Sequence, residues 1–135
     1  MHILVIDGQG GNIGRQLVKM IVQRFPQVQL TAVGTNSSAT ANMMKGGASA
    51  GATGENAVKV GCRKADVIVG PLGIVVADSL LGEVTAEMAV AVARSEAVKI
   101  LIPLNRCDNL VAGVGEISTA RLLEDAMEKI AALLH

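Results

Sequence analysis

Six residues near the start of the chain carry most of the chemistry that the sequence offers. Asp7, Gly8, Gly10, Gly11, Asn12 and Gly14 follow the apolar run His2-Ile-Leu-Val-Ile6. Glycines let backbone N–H groups approach a bound anion with no Cβ in the way, and a helix that starts there adds the positive end of its dipole. A strand, a glycine turn and a helix in that order seat the phosphate of a nucleotide in open α/β folds. The spacing is G-x-x-G-x-x-G at 8, 11 and 14 with Gly10 added, and Ile13 stands where the G-x-G-x-x-G fingerprint has its third glycine. The same glycines also fit a plainer role, a tight turn with close helix packing.

Asp7 has three readings: a Mg²⁺ ligand, an acceptor for ribose hydroxyls, or an acceptor for N–H groups of its own turn. A carboxylate beside a phosphate seat repels the anion unless a metal, a proton or a cation such as Arg106 offsets it. After the second predicted strand the chain offers Thr35 and Asn36, where an NAD site would place an Asp or Glu on the ribose. Gly70 and Gly73 follow the third predicted strand, and Asn105-Arg106-Cys107 the fourth. Arg106 suits a phosphate or carboxylate, or equally an ion pair with Asp108 or Glu55. Cys107 lacks a base to make it a thiolate, because the two histidines, His2 and His135, lie at the chain ends. The same shortage gives no zinc site, and the absence of Tyr excludes Tyr-Lys dehydrogenase chemistry. An enzyme would have to work with Asp7, Glu55, Asp78 or a bound metal.

The elements that must hold these residues alternate between strand and helix. Strands are expected at 2–6, 28–33, 66–70 and 98–103, with a short edge strand at 110–114. Helices are expected from Asn12 to Phe25, from Ser37 or Ser38 to Lys45, from Ile74 to Leu81, from Thr85 to Ser95 and from Ser118 to Leu134. Residues 55–65 fit either a strand or a helix, and the helix is favoured because a crossover is needed there. The pattern predicts an α/β domain over 1–135: three layers, Rossmann-like or flavodoxin-like, with a mostly parallel four- to five-stranded sheet and helices on both faces. In the order 2-1-3-4-5, the loops at 8–14 and 70–73 would face each other, each leading into a helix N-terminus, with residues 51–56 as a covering loop.

Composition narrows the partners. The 135 residues are half apolar with zero formal net charge, and Phe25 is the one aromatic. Nucleic acid needs a basic face or stacking platforms, so binding to it is not expected. No uncharged apolar stretch approaches the roughly 18 residues that span a bilayer, and two cysteines make no disulfide scaffold, so a soluble, cytoplasmic protein is expected. The segment Ala86-Glu-Met-Ala-Val-Ala-Val-Ala93 is apolar on nearly every side, which predicts a homo-oligomer packed through it.

The glycine spacing resembles the variant seen in short-chain and extended dehydrogenase-like Rossmann domains. More specifically, Ile6-Asp-Gly-Gln-Gly-Gly11, Gly34-Thr-Asn36, Gly51-Ala-Thr-Gly-Glu-Asn-Ala57, Ala65-Asp-Val-Ile-Val-Gly-Pro71, Leu81-Gly-Glu83 and Ile102-Pro-Leu-Asn-Arg-Cys107 resemble a small bacterial family described only as a domain of unknown function. The likeness runs from residue 3 to about 115. It implies a compact Rossmann-like protein of the bacterial cytoplasm and no activity. The expectation is a binding or sensing protein for a nucleotide or other phosphorylated small molecule at residues 8–14, with Asn105 and Arg106 approaching from the far strand. An NAD(P)- or metal-nucleotide-dependent enzyme and a ligand-free oligomerisation module are the alternatives.

Overall fold

The computed structural model describes residues 1–104 and 109–134. Five strands form one parallel sheet: β1 (His2–Asp7), β2 (Gln29–Gly34), β3 (Ala50–Thr53), β4 (Val67–Pro71) and β5 (Val98–Ile102). Five α-helices connect or follow them: α1 (Asn12–Arg24), α2 (Ser37–Lys45), α3 (Glu55–Lys64), α4 (Ala86–Arg94) and α5 (Thr119–Leu133).

Alternate side chains of a strand point to opposite faces, and the central strands bury both. Ile3 and Val5 pack with residues of α1, α2 and α5, whereas Leu4 and Ile6 pack with residues of α3 and α4. The result is a three-layer α/β fold. The strand order is β3-β2-β1-β4-β5, the Rossmann order short of its sixth strand. In register, Asp7 ends beside Gly34, and β4 flanks β1 on its other edge, so the carboxyl ends of the three central strands lie together. After β1 the chain passes to the α1 face; after β4 it passes to the α4 face. Ligands of open α/β sheets enter between two strands that diverge in this way.

Helix caps follow sequence closely. The Thr85 and Ser118 hydroxyls accept from the N–H groups of Met88 and Arg121, capping α4 and α5 as expected. The α2 cap is Asn36 rather than Ser37 or Ser38, with its Oδ1 accepting from the Ala39 N–H. Residues 55–64 form the helix favoured for them.

Three expectations are corrected. The edge strand is Ala50–Thr53, paired with β2, and Leu110 to Val114 forms a turn instead. All four residues of β3 are exposed and small, so no apolar alternation marks them. The same pairing removes residues 51–56 as a cover for the glycine turn. Finally, no α-helix occupies Ile74 to Leu81: a four-residue 3-10 turn, Leu72–Val75, leads into a strap of turns through residue 84. Asp78, Leu80 and Leu81 in that strap adopt φ of 66°, 55° and 58°, which no helical pattern anticipates.

Candidate functional site

Asp7 ends β1 with its side chain buried. Its Oδ1 accepts from the Gly8 N–H at 2.8 Å and its Oδ2 from the Gly14 N–H at 2.7 Å. Both oxygens staple the turn to the first turn of α1, the third of the three readings. Burial pushes this carboxyl above its ordinary range; the two N–H bonds pull it back without cancelling the effect, and the charge of Glu83 adds to the rise.

The turn itself is packed from within. Gly11 has φ of +73°, and a Cβ there would lie 2.7 Å from the Ala39 carbonyl oxygen of α2. A Cβ on Gly14 would meet Met43 Sδ at 2.5 Å. These two glycines serve a turn and a close helix contact, the plainer of their two roles. Outside, the backbone N–H groups of Gly10, Asn12 and Ile13 have no acceptor among the described residues. Gly10 and Asn12 are exposed, at the positive end of α1. The Asn42 amide braces this stretch from α2, donating to the Gly10 carbonyl at 2.9 Å and to Asn12 Oδ1 at 3.0 Å.

Thr35 and Asn36 are tied to the glycine turn chiefly through a residue that the sequence pattern did not single out. Glu83 Oε1 accepts from the Gln9 N–H at 2.8 Å, Thr35 Oγ1 at 2.7 Å and Asn36 Nδ2 at 2.8 Å. Asn36 Nδ2 also donates to the Gln9 carbonyl at 3.0 Å. Burial acts to raise the Glu83 pKa, but the three hydrogen bonds outweigh it and hold the carboxyl below its ordinary value. A carboxylate thus sits at the end of β2 after all, delivered by the strap that follows β4.

The strap is folded onto itself. The Asp78 N–H donates to the Val84 carbonyl at 2.7 Å, the Ser79 hydroxyl donates to the Gly73 carbonyl, and Leu80 is buried against the space over Gly8. Gly73 therefore serves the strap, and a Cβ on Gly70 would run into the Ile6 carbonyl. The loop after β4 leads into a four-residue 3-10 turn rather than the α-helix N-terminus expected there. Asn105, Arg106 and Cys107 lie outside the described residues.

Other titratable groups are dispersed. Glu55 accepts from the Thr85 hydroxyl at 2.6 Å, on the α3–α4 side, and is not joined to Asp7. Cys62 is buried, which pushes its thiol up to about 11 despite Lys99 nearby. Among the described residues no group of His, Cys, Asp and Glu is arranged to hold a metal ion, and no helix is long and apolar enough to cross a membrane.

A family model, "Domain of unknown function (DUF3842)", matches residues 2–135. The chain belongs to this family. None of the curated proteins matches the DUF3842 chain. Among solved structures it is similar to a dodecameric FMN-dependent Ubix-like decarboxylase from Escherichia coli O157:H7. The two share 12% identity over 97% of this chain and 95% of that one, with a TM-score of 0.49. Within the DUF3842 chain, Thr35 and Asn36 at the end of β2 join the β1–α1 turn through Glu83.

Proposed function

We propose that this DUF3842 protein, acting as one Rossmann-like domain, binds a nucleotide or similar phosphorylated small molecule at the turn between β1 and α1, in a binding or sensing role. The observation that carries this is the trio of N–H groups of Gly10, Asn12 and Ile13. They lack an acceptor among the described residues and stand at the opening of α1, where the strand order diverges. Asp7 supports the seat from beneath rather than binding the ligand. The dispersal of Glu55 and Cys62 from the turn favours binding over catalysis, since among the described residues no acid, base and nucleophile meet.

The protein is expected to work in the bacterial cytoplasm and as a homo-oligomer. The outer side of α4, with Val90 44% exposed, supports self-association. Light scattering at micromolar concentration should show more than one copy; a monomer would rule this out.

Thermal unfolding with NAD, NADP, FMN, ATP and GTP, each with and without Mg²⁺, tests the ligand class. A ligand at 100 times its Kd adds about 2.7 kcal/mol of stability. At least one nucleotide should raise the Tm, with no need for Mg²⁺; stabilisation by none of them would favour a ligand-free oligomerisation module.

A further inference from the structure

Glu83 does not merely neighbour the proposed seat. Its carboxylate fills a second donor set beside it: one oxygen takes the Gln9 N–H of the glycine turn, a hydroxyl and a side-chain amide, the groups that an anionic ligand would use. The donors sit on the loops after β1 and β2, whereas the acceptor arrives from a different segment, the strap after β4. That strap holds three non-glycine residues, Asp78, Leu80 and Leu81, in left-handed conformations, so it is under backbone strain while closed. At its tip Leu81 is 96% exposed and contributes nothing to the core. With Glu83 in place, a phosphate arriving at Gly10–Ile13 meets a second carboxylate charge beside Asp7 and is repelled.

We propose that Glu83 is an internal latch: its carboxylate occupies a three-donor anion seat formed by Gln9, Thr35 and Asn36, and a phosphoryl group of the ligand takes that seat when the 76–84 strap lifts. This rests on the reading of the β1–α1 turn as a phosphate site. It makes the protein a switch, in which ligand binding is read out as release of the strap with its buried Leu80 and Val84.

Calorimetric titration of the full chain with inorganic pyrophosphate tests it, comparing the wild type with Glu83→Ala and the near-isosteric Glu83→Gln. Glu83→Ala should bind at least ten-fold more tightly than the wild type, with Glu83→Gln in between. Hydrogen exchange at the Gln9 amide, read without ligand, should be at least ten-fold faster in Glu83→Ala. Equal or weaker binding by the variants overturns the latch while leaving the phosphate site intact; no binding by any of the three chains overturns both. Should Glu83→Ala fail to fold, Glu83→Gln decides alone: a gain of three-fold or more supports the latch, and no gain overturns it.

Discussion

Two loops leave the carboxyl ends of the neighbouring strands β1 and β4, and a carboxylate pins each of them, Asp7 at the end of β1 the first and Glu83 the second. The turn after β1 is short, built on glycine, and its Asp7 is consumed by the backbone of that same turn. The strap after β4 is long, bends through left-handed non-glycine residues, and sends Glu83 across to the other loop. One carboxylate is a fixture of the fold, while the other is held by contacts that a ligand can replace. Their titration differs accordingly: the Asp7 pKa is raised and the Glu83 pKa lowered.

The largest effect should come from removing the fixture. Asp7→Ala orphans the buried N–H groups of Gly8 and Gly14, and unsatisfied buried donors cost about 1–3 kcal/mol each. Chemical denaturation should show a loss of about 3 kcal/mol; a loss below about 1 kcal/mol would make Asp7 as replaceable as Glu83.

Next is Gly11→Val, a substitution that from sequence alone would remove ligand binding and spare the fold. The structure predicts otherwise, since φ of +73° and the Ala39 backbone at 2.7 Å penalise any side chain. A loss of about 2–3 kcal/mol is expected by the same measurement. Unchanged stability would show that the turn has room and that its glycine serves a ligand.

Glu83→Gln should cost only about 1 kcal/mol, because the amide oxygen still accepts the three hydrogen bonds but without charge. Its signature is in the pH dependence. A carboxyl whose folded pKa is depressed contributes stability above its unfolded value, here 4.5, and loses that contribution as pH falls through the folded value. Asp7 has the opposite sign: its raised pKa means that protonation favours the folded state, and the gain appears as pH falls through the folded value. Glu83→Gln should therefore flatten the loss of stability below pH 4.5, as followed by thermal unfolding across pH. The smallest effect is expected from Leu81→Asn, which tolerates the left-handed conformation better and should stabilise by about 0.5 kcal/mol. A loss there would mean that Leu81 packs where the fold shows it exposed.

The difference between the loops also explains what sequence could reveal. The β1–α1 turn was legible because its signal is local: an apolar run, glycines and an amphipathic helix within 25 residues. The four strong strands and their alternation with helices were legible for the same reason. The strap was not, since Ile74-Val-Val-Ala77 followed by Asp-Ser-Leu-Leu81 has the apolar content of a helix, whereas its own turn hydrogen bonds and the tertiary contacts of Leu80, Glu83 and Val84 hold it in turns. Nothing in spacing links Glu83 to Gln9, which lies 74 residues away in sequence. Strand β3 escaped because Ala50-Gly-Ala-Thr53 is exposed throughout and draws its stability from pairing with β2.

The central claim is that the turn between β1 and α1 is the ligand seat. Backbone amide chemical shifts of the ¹⁵N-labelled protein, titrated with ADP, test it most directly. The account predicts saturable shifts that are largest at Gln9, Gly10, Asn12 and Ile13 and that extend to the strap at Leu81 and Glu83. Saturable shifts confined to another surface, such as the outer side of α4, would contradict it.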